Sequence, residues 1–393
     1  MAGPDPCGEA SASGSHPPLA IRHRAPATYI MPEMASTLER VASAKPSGTR
    51  FVIVEKSTAV ASDATIKVWN GPLPTLADVY RARAVIRQHL PPTPLLRPEA
   101  LSERLGCEVF VKCENLQPTG AFKIRGGLYY MSQLGDAELA RGVVGASTGN
   151  HGQSLAWAAR AYNSSATIFV PEGANALKVA AMRRLGAKVI HFGRDFDDCL
   201  LESQAFAELN GAVFVHSANE PRLVAGVATH TLEILEEEPD VDAVFVAIGG
   251  GSGLCGACLA GKGIKPDLQV IGVQSTGAPT VYEAWKSRTL VRLDSLDTFA
   301  EGIATREAFA MPSQMLWGTV DEIMLVSDAD LKRAMLTLME TTRLVAEGAG
   351  AAGLAGAYAR REMFAGKKVA VIVSGGNLTL DVLSDAINEE CAW

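Results

Sequence analysis

The sequence predicts an α/β protein built on parallel β-sheets with helices on both faces. From residue 73 onward, short apolar segments alternate with amphipathic segments of helical length, a pattern typical of parallel strands joined by crossover helices. Glycine-rich turns follow several of the apolar segments. The chain has 393 residues, of which 48% are hydrophobic and 20% charged, so it is long and apolar enough to bury the cores of two domains.

Eight strands are predicted in this regular part of the chain. They are Glu108–Lys112, Val143–Ser147, Ala166–Val170, Lys188–Phe192, Ala212–His216, Ala243–Ile248, Gln269–Val273 and Val369–Val373. Helical segments such as His151–Tyr162 and Ala176–Leu185 fall between most of them. Residues 1–72 differ: they are rich in Ser, Ala and Pro with little periodicity, which predicts a partly disordered N-terminal extension.

Composition excludes several classes of protein. The net charge is −7 with no concentrated basic segment, so no nucleic-acid partner is expected. The first 20 residues lack a secretory signal, and the uncharged stretch Ala243–Gly261 contains six glycines that divide it into a strand and a loop, so no membrane span is expected. The seven scattered cysteines indicate a reducing, cytoplasmic location. Cys255 and Cys258 have redox-motif spacing, but packing in a helix is the favoured interpretation.

Three glycine-rich turns follow predicted strands and suggest one shared site. They are Ser147-Thr148-Gly149-Asn150, Gly249-Gly250-Gly251-Ser252-Gly253 and Ser374-Gly375-Gly376-Asn377. In parallel sheets, ligands bind outside the carboxyl ends of the strands, where such turns lead into helices. The turns are therefore expected to meet around a single ligand.

The middle turn has two possible ligands. Gly251-Ser252-Gly253-Leu254-Cys255-Gly256 matches the dinucleotide fingerprint, which would fit a nicotinamide oxidoreductase. That fingerprint needs an acidic residue at the end of the next strand, which instead ends Gly272-Val273-Gln274-Ser275. The run Gly249–Gly253 can instead turn successive amides toward an anion at a helix N-terminus. A phosphate monoester is the favoured ligand, and a tight structural turn is the alternative.

Lys123 is the candidate nucleophile. It lies in Asn115-Leu116-Gln117-Pro118-Thr119-Gly120-Ala121-Phe122-Lys123-Ile124-Arg125-Gly126, just after a turn. A lysine in such a place is usually solvated, but the apolar neighbours Phe122 and Ile124 suggest burial. Burial lowers the pKa of an amine and makes it nucleophilic.

This segment resembles the cofactor-lysine motif of fold-type II pyridoxal-phosphate enzymes, in the branch of the threonine/serine dehydratases and serine racemases. Ala146-Ser147-Thr148-Gly149-Asn150-His151-Gly152 and the two later glycine-rich turns follow in the family's order, and the resemblance covers residues 73–385. It implies two parallel-sheet α/β domains with the cofactor in the cleft between them. The large domain would comprise about 73–110 and 220–393 and the small one about 111–219, with no C-terminal regulatory domain.

The resemblance also implies roles for individual residues. The catalytic residues would be Lys123, which holds the cofactor as a Schiff base and moves the α-proton, and Thr148. The other cofactor-binding residues would be Phe122, Asn150, Gly249, Gly250, Gly251, Ser252, Gly253, Glu347 and Ser374, and the substrate-binding residues Ser147, Thr148, Gly149, Asn150 and His151. For Glu347, a helix cap is an equal alternative. His151 invites a general-base role, but packing at the helix start is favoured.

The implied activity is that of an ammonia-lyase acting on a β-hydroxy amino acid such as L-threonine or L-serine. Ser374 would face the pyridine nitrogen and, being neutral, favour elimination over transamination. A racemase or β-replacement enzyme is the alternative, because Thr148 stands where racemases of this branch have serine and many dehydratases have alanine. Gln274 and Thr280 replace the carboxylates of metal-binding relatives, so no metal is expected. A homodimer is expected, and the preferred amino acid and its stereochemistry stay open.

Overall fold

A computed structural model describes residues 69–393 of the chain. Its strands are β1 Leu95–Leu96, β2 Glu108–Lys112, β3 Val143–Ala146, β4 Ala166–Val170, β5 Lys188–His191, β6 Val213–Phe214, β7 Ala243–Ala247, β8 Gln269–Ser275, β9 Glu322–Val326 and β10 Lys368–Ile372. Its α-helices are α1 Leu76–Ile86, α2 Glu99–Leu105, α3 Lys123–Ser132, α4 Asp136–Arg141, α5 Asn150–Ala161, α6 Ala176–Arg184, α7 Phe196–Asn210, α8 Pro221–Val227, α9 Thr229–Glu237, α10 Ser252–Ile264, α11 Thr280–Ser287, α12 Ala310–Thr319, α13 Asp328–Thr342, α14 Gly348–Ala359 and α15 Leu380–Glu389. Short 3-10 helices occupy Glu114–Leu116 and Glu301–Ile303.

The strands form two sheets. The larger has the order β1-β2-β10-β7-β8-β9, and the smaller has the order β5-β4-β3-β6. All neighbouring strands are parallel except β1, which pairs antiparallel with β2 at the edge. The prediction of an α/β fold with parallel sheets is confirmed.

The larger sheet is buried on both faces because successive side chains of each strand enter different cores. Val109 and Val111 of β2 pack with Val371 of β10 in one hydrophobic cluster. Phe110, which lies between the two valines, packs with Ile372 in a second cluster on the other face. This two-sided burial explains why the strands are continuous apolar runs rather than alternating ones.

The eight predicted strands are all present, with small differences at their ends. The strand predicted to end at Ser147 ends at Ala146, because the Ser147 Oγ accepts hydrogen bonds from the amides of Gly149 and Gly152 and starts the turn. Two strands were not predicted. β1 has only two residues, too few to show a period, and β9 lies at the sheet edge with Glu322 and Leu325 only partly buried.

The predicted extension at residues 1–72 lies outside the described residues except for residues 69–72. The expected domain boundary between residues 110 and 111 falls inside β2, whose whole length pairs with β10 and so belongs to the larger sheet. The stretch Ala243–Gly261 divides into β7 and the first part of α10, with Cys255 and Cys258 buried in the helix. Over residues 69–393, no helix is both long and apolar enough to cross a membrane.

Candidate active site

Lys123 begins α3 and projects into a cavity between the two sheets. Its Nζ donates a hydrogen bond to the Ser252 Oγ at 2.9 Å, which joins the start of α3 to the start of α10. Burial lowers the pKa of Lys123 to about 8, because a desolvated ammonium is disfavoured and no described carboxylate forms an ion pair with it. A substantial fraction of the amine is therefore neutral, and nucleophilic, near pH 8.

The loop before Lys123 is fastened to the turn that contains Ser374. The Phe122 amide donates to the Ser374 carbonyl at 3.0 Å, and the Gly376 amide donates to the Gly120 carbonyl at 2.9 Å. Gly120 has a φ of +67°, in the left-handed region that favours glycine. Hydrogen bonds between backbone groups thus place the turn after β10 beside the lysine.

The run Gly249–Gly253 covers the turn after β7 and the first two residues of α10, and it forms a cradle. Gly251 has a φ of +97°, and a Cβ at Gly249 would lie 2.4 Å from the Gly302 carbonyl oxygen, so larger residues do not fit. No side chain caps the start of α10. The free amides and positive dipole end of this helix therefore face the cavity and suit an anion such as a phosphate.

The turn after β3 offers polar groups at the start of α5. The Ser147 Oγ holds the turn through the Gly149 amide at 3.0 Å and the Gly152 amide at 2.8 Å, whereas Thr148 is exposed toward the cavity. His151 is buried, and burial lowers its pKa to about 3. It is therefore neutral and a weak base at physiological pH, which disfavours a general-base role.

Glu347 is the N-cap residue of α14, but its side chain makes no capping hydrogen bond. Instead, its Oε1 accepts from the Asn150 Nδ2 at 2.6 Å, and the Asn150 Oδ1 accepts from the Asn377 Nδ2 at 2.8 Å. Burial raises the pKa of Glu347, although Lys178 and Asn150 oppose the rise. The carboxyl group therefore orients Asn150 within the cavity rather than capping the helix.

The cavity has a volume of about 490 Å³. It brings together all of the side chains and glycines predicted from the sequence. These are Phe122, Lys123, Ser147, Thr148, Gly149, Asn150, His151, Gly249, Gly250, Gly251, Ser252, Gly253, Glu347 and Ser374. The sequence reasoning missed Lys178, Asp195, Asp197, Glu301 and Arg306, which also line the cavity. They lie on segments with no recognisable motif, so no local pattern could have identified them.

The residues present fit pyridoxal phosphate. The run Gly249–Gly253 lines the cavity with backbone, and a Cβ at Gly249 or Gly251 would clash with the surrounding protein. The uncapped start of α10 suits the phosphate, and a lysine of lowered pKa suits an aldehyde. Ser374 is buried, and its Oγ donates to the Ala349 carbonyl at 3.3 Å. Its hydroxyl is the neutral group that the sequence suggested for the pyridine nitrogen.

At Gln274 and Thr280, where metal-binding relatives carry carboxylates, the side chains make hydrogen bonds within the protein. The Gln274 Oε1 accepts from the amides of Val281 and Tyr282 at the start of α11, and the Thr280 hydroxyl donates to the Thr305 carbonyl. Within residues 69–393, no group of three His, Cys, Asp or Glu side chains is arranged to hold a metal ion.

Comparison with known proteins agrees with this geometry. Residues 86–375 match the family model described as "Pyridoxal-phosphate dependent enzyme". The chain is 38% identical to an L-threonine ammonia-lyase of Thermotoga maritima over 80% of this chain and 78% of the relative. It is 35% identical to an L-threo-3-hydroxyaspartate ammonia-lyase of Saccharomyces cerevisiae over 78% of this chain and 94% of the relative. The structure of maize serine racemase superposes with a TM-score of 0.76 at 29% identity, covering 81% of this chain and 98% of the racemase. The chain therefore belongs to the family of pyridoxal-phosphate dependent enzymes, and its cofactor is pyridoxal phosphate.

Proposed function

We propose that this enzyme is an ammonia-lyase, or dehydratase, that converts a β-hydroxy amino acid such as L-threonine or L-serine to a 2-oxo acid and ammonia. The observation that carries the proposal is the meeting of a lysine of lowered pKa, a phosphate cradle and the neutral Ser374 in one cavity. The resemblance to L-threonine ammonia-lyases supports the same reaction.

The cofactor would be held by groups from four segments. The Gly249–Gly253 amides would bind its phosphate, Asn150 its ring hydroxyl and Ser374 its pyridine nitrogen, while Phe122 packs beside the ring and Lys123 bonds covalently to its aldehyde carbon. When bound, pyridoxal phosphate makes the hydrogen on the substrate's α-carbon acidic by accepting its electrons into the ring. Glu347 would act indirectly, by fixing the orientation of Asn150 through their hydrogen bond of 2.6 Å.

The chain's own residues would position the substrate and move its proton. Ser147, Thr148 and Gly149 offer hydroxyl and amide groups to the substrate carboxylate at the start of α5, whose helix dipole favours a negative charge there. The amine of Lys123, with its pKa of about 8, would take the α-proton and deliver a proton to the departing β-hydroxyl, which leaves as water. The released enamine then takes up water and yields the 2-oxo acid and ammonia.

The direct test is to incubate the purified holoenzyme with L-threonine and L-serine and to measure 2-oxo acid and ammonia together. Equal amounts of the two products are expected. Reduction with borohydride followed by peptide mapping should place the cofactor on Lys123. Absence of both products, or a cofactor attached to another lysine, would overturn the proposal.

Amino-acid racemisation is a second candidate because Thr148 exposes a hydroxyl toward the same cavity as Lys123. A threonine hydroxyl is a poor acid, and its β-branch restricts χ1, so elimination should exceed racemisation. The measurement is the ratio of inverted amino acid to 2-oxo acid in the wild type and in Thr148→Ser, whose freer hydroxyl should raise the ratio. An excess of inverted amino acid in the wild type would establish the racemase instead.

We also propose a cytoplasmic homodimer with a large and a small domain, the first boundary falling after β2. All six cysteines in residues 69–393 are free, which suits a reducing compartment.

Leu116 and Val345 expose apolar surface on adjoining segments, which are joined by a hydrogen bond from the Asn115 side chain to the Val345 carbonyl. Such a patch suits a second copy of the chain. Size-exclusion chromatography with light scattering tests the dimer, and a monomer would refute it.

A further inference from the structure

The Lys178 ammonium is held by carboxylates from across the substrate cavity. Lys178 belongs to α6, beside the smaller sheet, and it is largely buried. Its Nζ lies 2.5 Å from the Glu301 Oε2 and 3.8 Å from the Glu347 Oε2, and both acids belong to segments around the larger sheet. Its positive charge is thus neutralised within the wall of the cavity.

Arg306 also pairs across the cavity, but in the opposite direction: it belongs to a segment around the larger sheet, and its carboxylate partners lie beside the smaller sheet. It comes from the segment between α11 and α12, and its Nη2 lies 2.9 Å from the Asp195 Oδ2 and also bonds the Asp197 Oδ2 at the start of α7. Asp197 additionally pairs with the Arg292 Nη2 at 2.9 Å. Arg306 is therefore matched by two carboxylates from the opposite side.

These pairs leave no free cation for an acidic substrate side chain. Among the described residues lining the cavity, three are cationic: Lys178, Arg306 and Lys123, of which Lys123 would hold the cofactor. Six are carboxylates: Asp195, Asp197, Asp294, Glu301, Glu307 and Glu347. A second substrate carboxylate would enter a partly desolvated, acid-rich space without a partner, which is strongly unfavourable.

We propose that the ion pairs of Lys178 and Arg306 make the site selective for β-hydroxy amino acids with an uncharged side chain. They would exclude dicarboxylic substrates such as 3-hydroxyaspartate, and their partners Glu301 and Asp197 are specificity determinants. The inference rests on the proposed function and narrows its substrate class. Lys178 is well placed for such a role, because a Cβ at Gly149 in the proposed substrate-carboxylate turn would lie 2.7 Å from its Cδ.

The first experiment compares kcat/KM of the holoenzyme for L-threonine, L-serine and L-threo-3-hydroxyaspartate by release of 2-oxo acid. We expect the better neutral substrate to exceed the dicarboxylate by ~100-fold or more, since discrimination comes from leaving a charge unpaired. A wild-type enzyme that prefers 3-hydroxyaspartate would overturn the inference.

The second experiment weakens the pairing of each cation in turn. Asp197→Asn and Glu301→Gln keep the size of the side chain but remove one of the two carboxylates beside Arg306 or Lys178. Each should shift the ratio of the two kcat/KM values toward 3-hydroxyaspartate by ~10-fold. Asp198→Asn is the matched control, because Asp198 carries the same charge on the same helix start but pairs with Arg194 and does not line the cavity. An unchanged ratio in both Asp197→Asn and Glu301→Gln, or an equal shift in the control, would contradict the inference.

A binding measurement tests the selectivity independently of the proposed reaction. L-2-aminobutyrate and L-aspartate lack a β-hydroxyl, and their binding to the holoenzyme can be followed by the change in the cofactor's visible absorbance. L-2-aminobutyrate should bind ~100-fold more tightly than L-aspartate, and Asp197→Asn should reduce this difference in affinity. If this preference holds but threonine and serine yield no 2-oxo acid, the proposed function fails and the selectivity stands. Equal binding of the two ligands would refute the selectivity.

Discussion

Lys123 and Arg125 are two residues apart on α3 and both are buried, yet their pKa values shift in opposite directions. The Lys123 amine has no carboxylate partner, and burial lowers its pKa to about 8. Burial would also lower the pKa of Arg125, but hydrogen bonds and charges from Glu114 and Glu233 outweigh that effect and raise it. The partners of a buried cation, more than burial itself, therefore decide whether it is reactive or structural.

The region around Arg125 is a closed network of charges. The guanidinium donates to both oxygens of Glu114 and both of Glu233 at 2.7 Å, and the Lys112 Nζ lies 2.6 Å from the Glu233 Oε2. Two cations thus balance two carboxylates, and all four are buried. The network ties α3 to β2 and α9, so it fixes the helix that begins at Lys123.

The largest effect is expected from removing the reactive cation, Lys123. Lys123→Ala should lower kcat/KM for L-threonine by ~10⁴-fold or more, because it removes both the nucleophile and a proton-transfer group that alone contributes ~10²–10⁴-fold. The covalent cofactor absorbance should disappear as well. Lys286→Ala, at an exposed lysine, is the control and should retain activity. Full activity in Lys123→Ala would remove the basis of the proposed reaction.

The second effect is on the free energy of unfolding. Arg125→Met should lower it by ~3–5 kcal/mol, because two carboxylates lose their shared partner in a buried site. In the apoenzyme, Lys123→Met should change it by less than ~1 kcal/mol, since only the hydrogen bond to Ser252 is lost. Adding Glu114→Gln to Arg125→Met should recover part of the loss by restoring a balanced Lys112–Glu233 pair. Chemical denaturation measures all three, and similar losses for Arg125→Met and Lys123→Met would contradict the comparison.

The pH dependence of cofactor binding should report the lowered pKa of Lys123 directly. Below its pKa, Lys123 is an ammonium without a nucleophilic lone pair, so covalent incorporation of pyridoxal phosphate into the apoenzyme should accelerate with rising pH. The rate should rise ~10-fold per pH unit in this range and level off above a midpoint of about 8. Absorbance kinetics at fixed cofactor concentration provide the rate. A midpoint near the ordinary lysine value of 10.5 would show that burial does not tune this amine.

The smallest expected effect comes from adding a carboxylate to the reactive region. Ser374→Asp would pair the pyridine nitrogen with a negative charge, keep it protonated and strengthen the electron sink. Elimination should slow several-fold, and transamination should become detectable. The ratio of 2-oxo acid to aminated cofactor reports the partition between the two reactions. An unchanged ratio would refute this role for Ser374.

The local backbone of the site could be predicted from the sequence. Strands buried on both faces are continuous apolar runs, and turns such as Gly249–Gly253 use residues whose conformation or small size is required at that point. The lysine motif and the three turns therefore identified the segments expected around the cofactor, but not the segments that carry Lys178, Asp195, Asp197, Glu301 and Arg306. β1 escaped prediction because two residues are too few to show a period, and β9 because Glu322 and Leu325 are only partly buried.

The parallel α/β fold, the family and the residues expected around the cofactor could thus be inferred from the sequence alone. The partners of the charged groups depend on the folded chain: Glu347 accepts a hydrogen bond from Asn150, Lys178 pairs with Glu301, and Arg306 pairs with Asp195 and Asp197. These partners lie more than 100 residues apart in the chain. Coulombic energy depends on separation in space and on local burial, so the protonation and selectivity of the site are set when the two sheets come together.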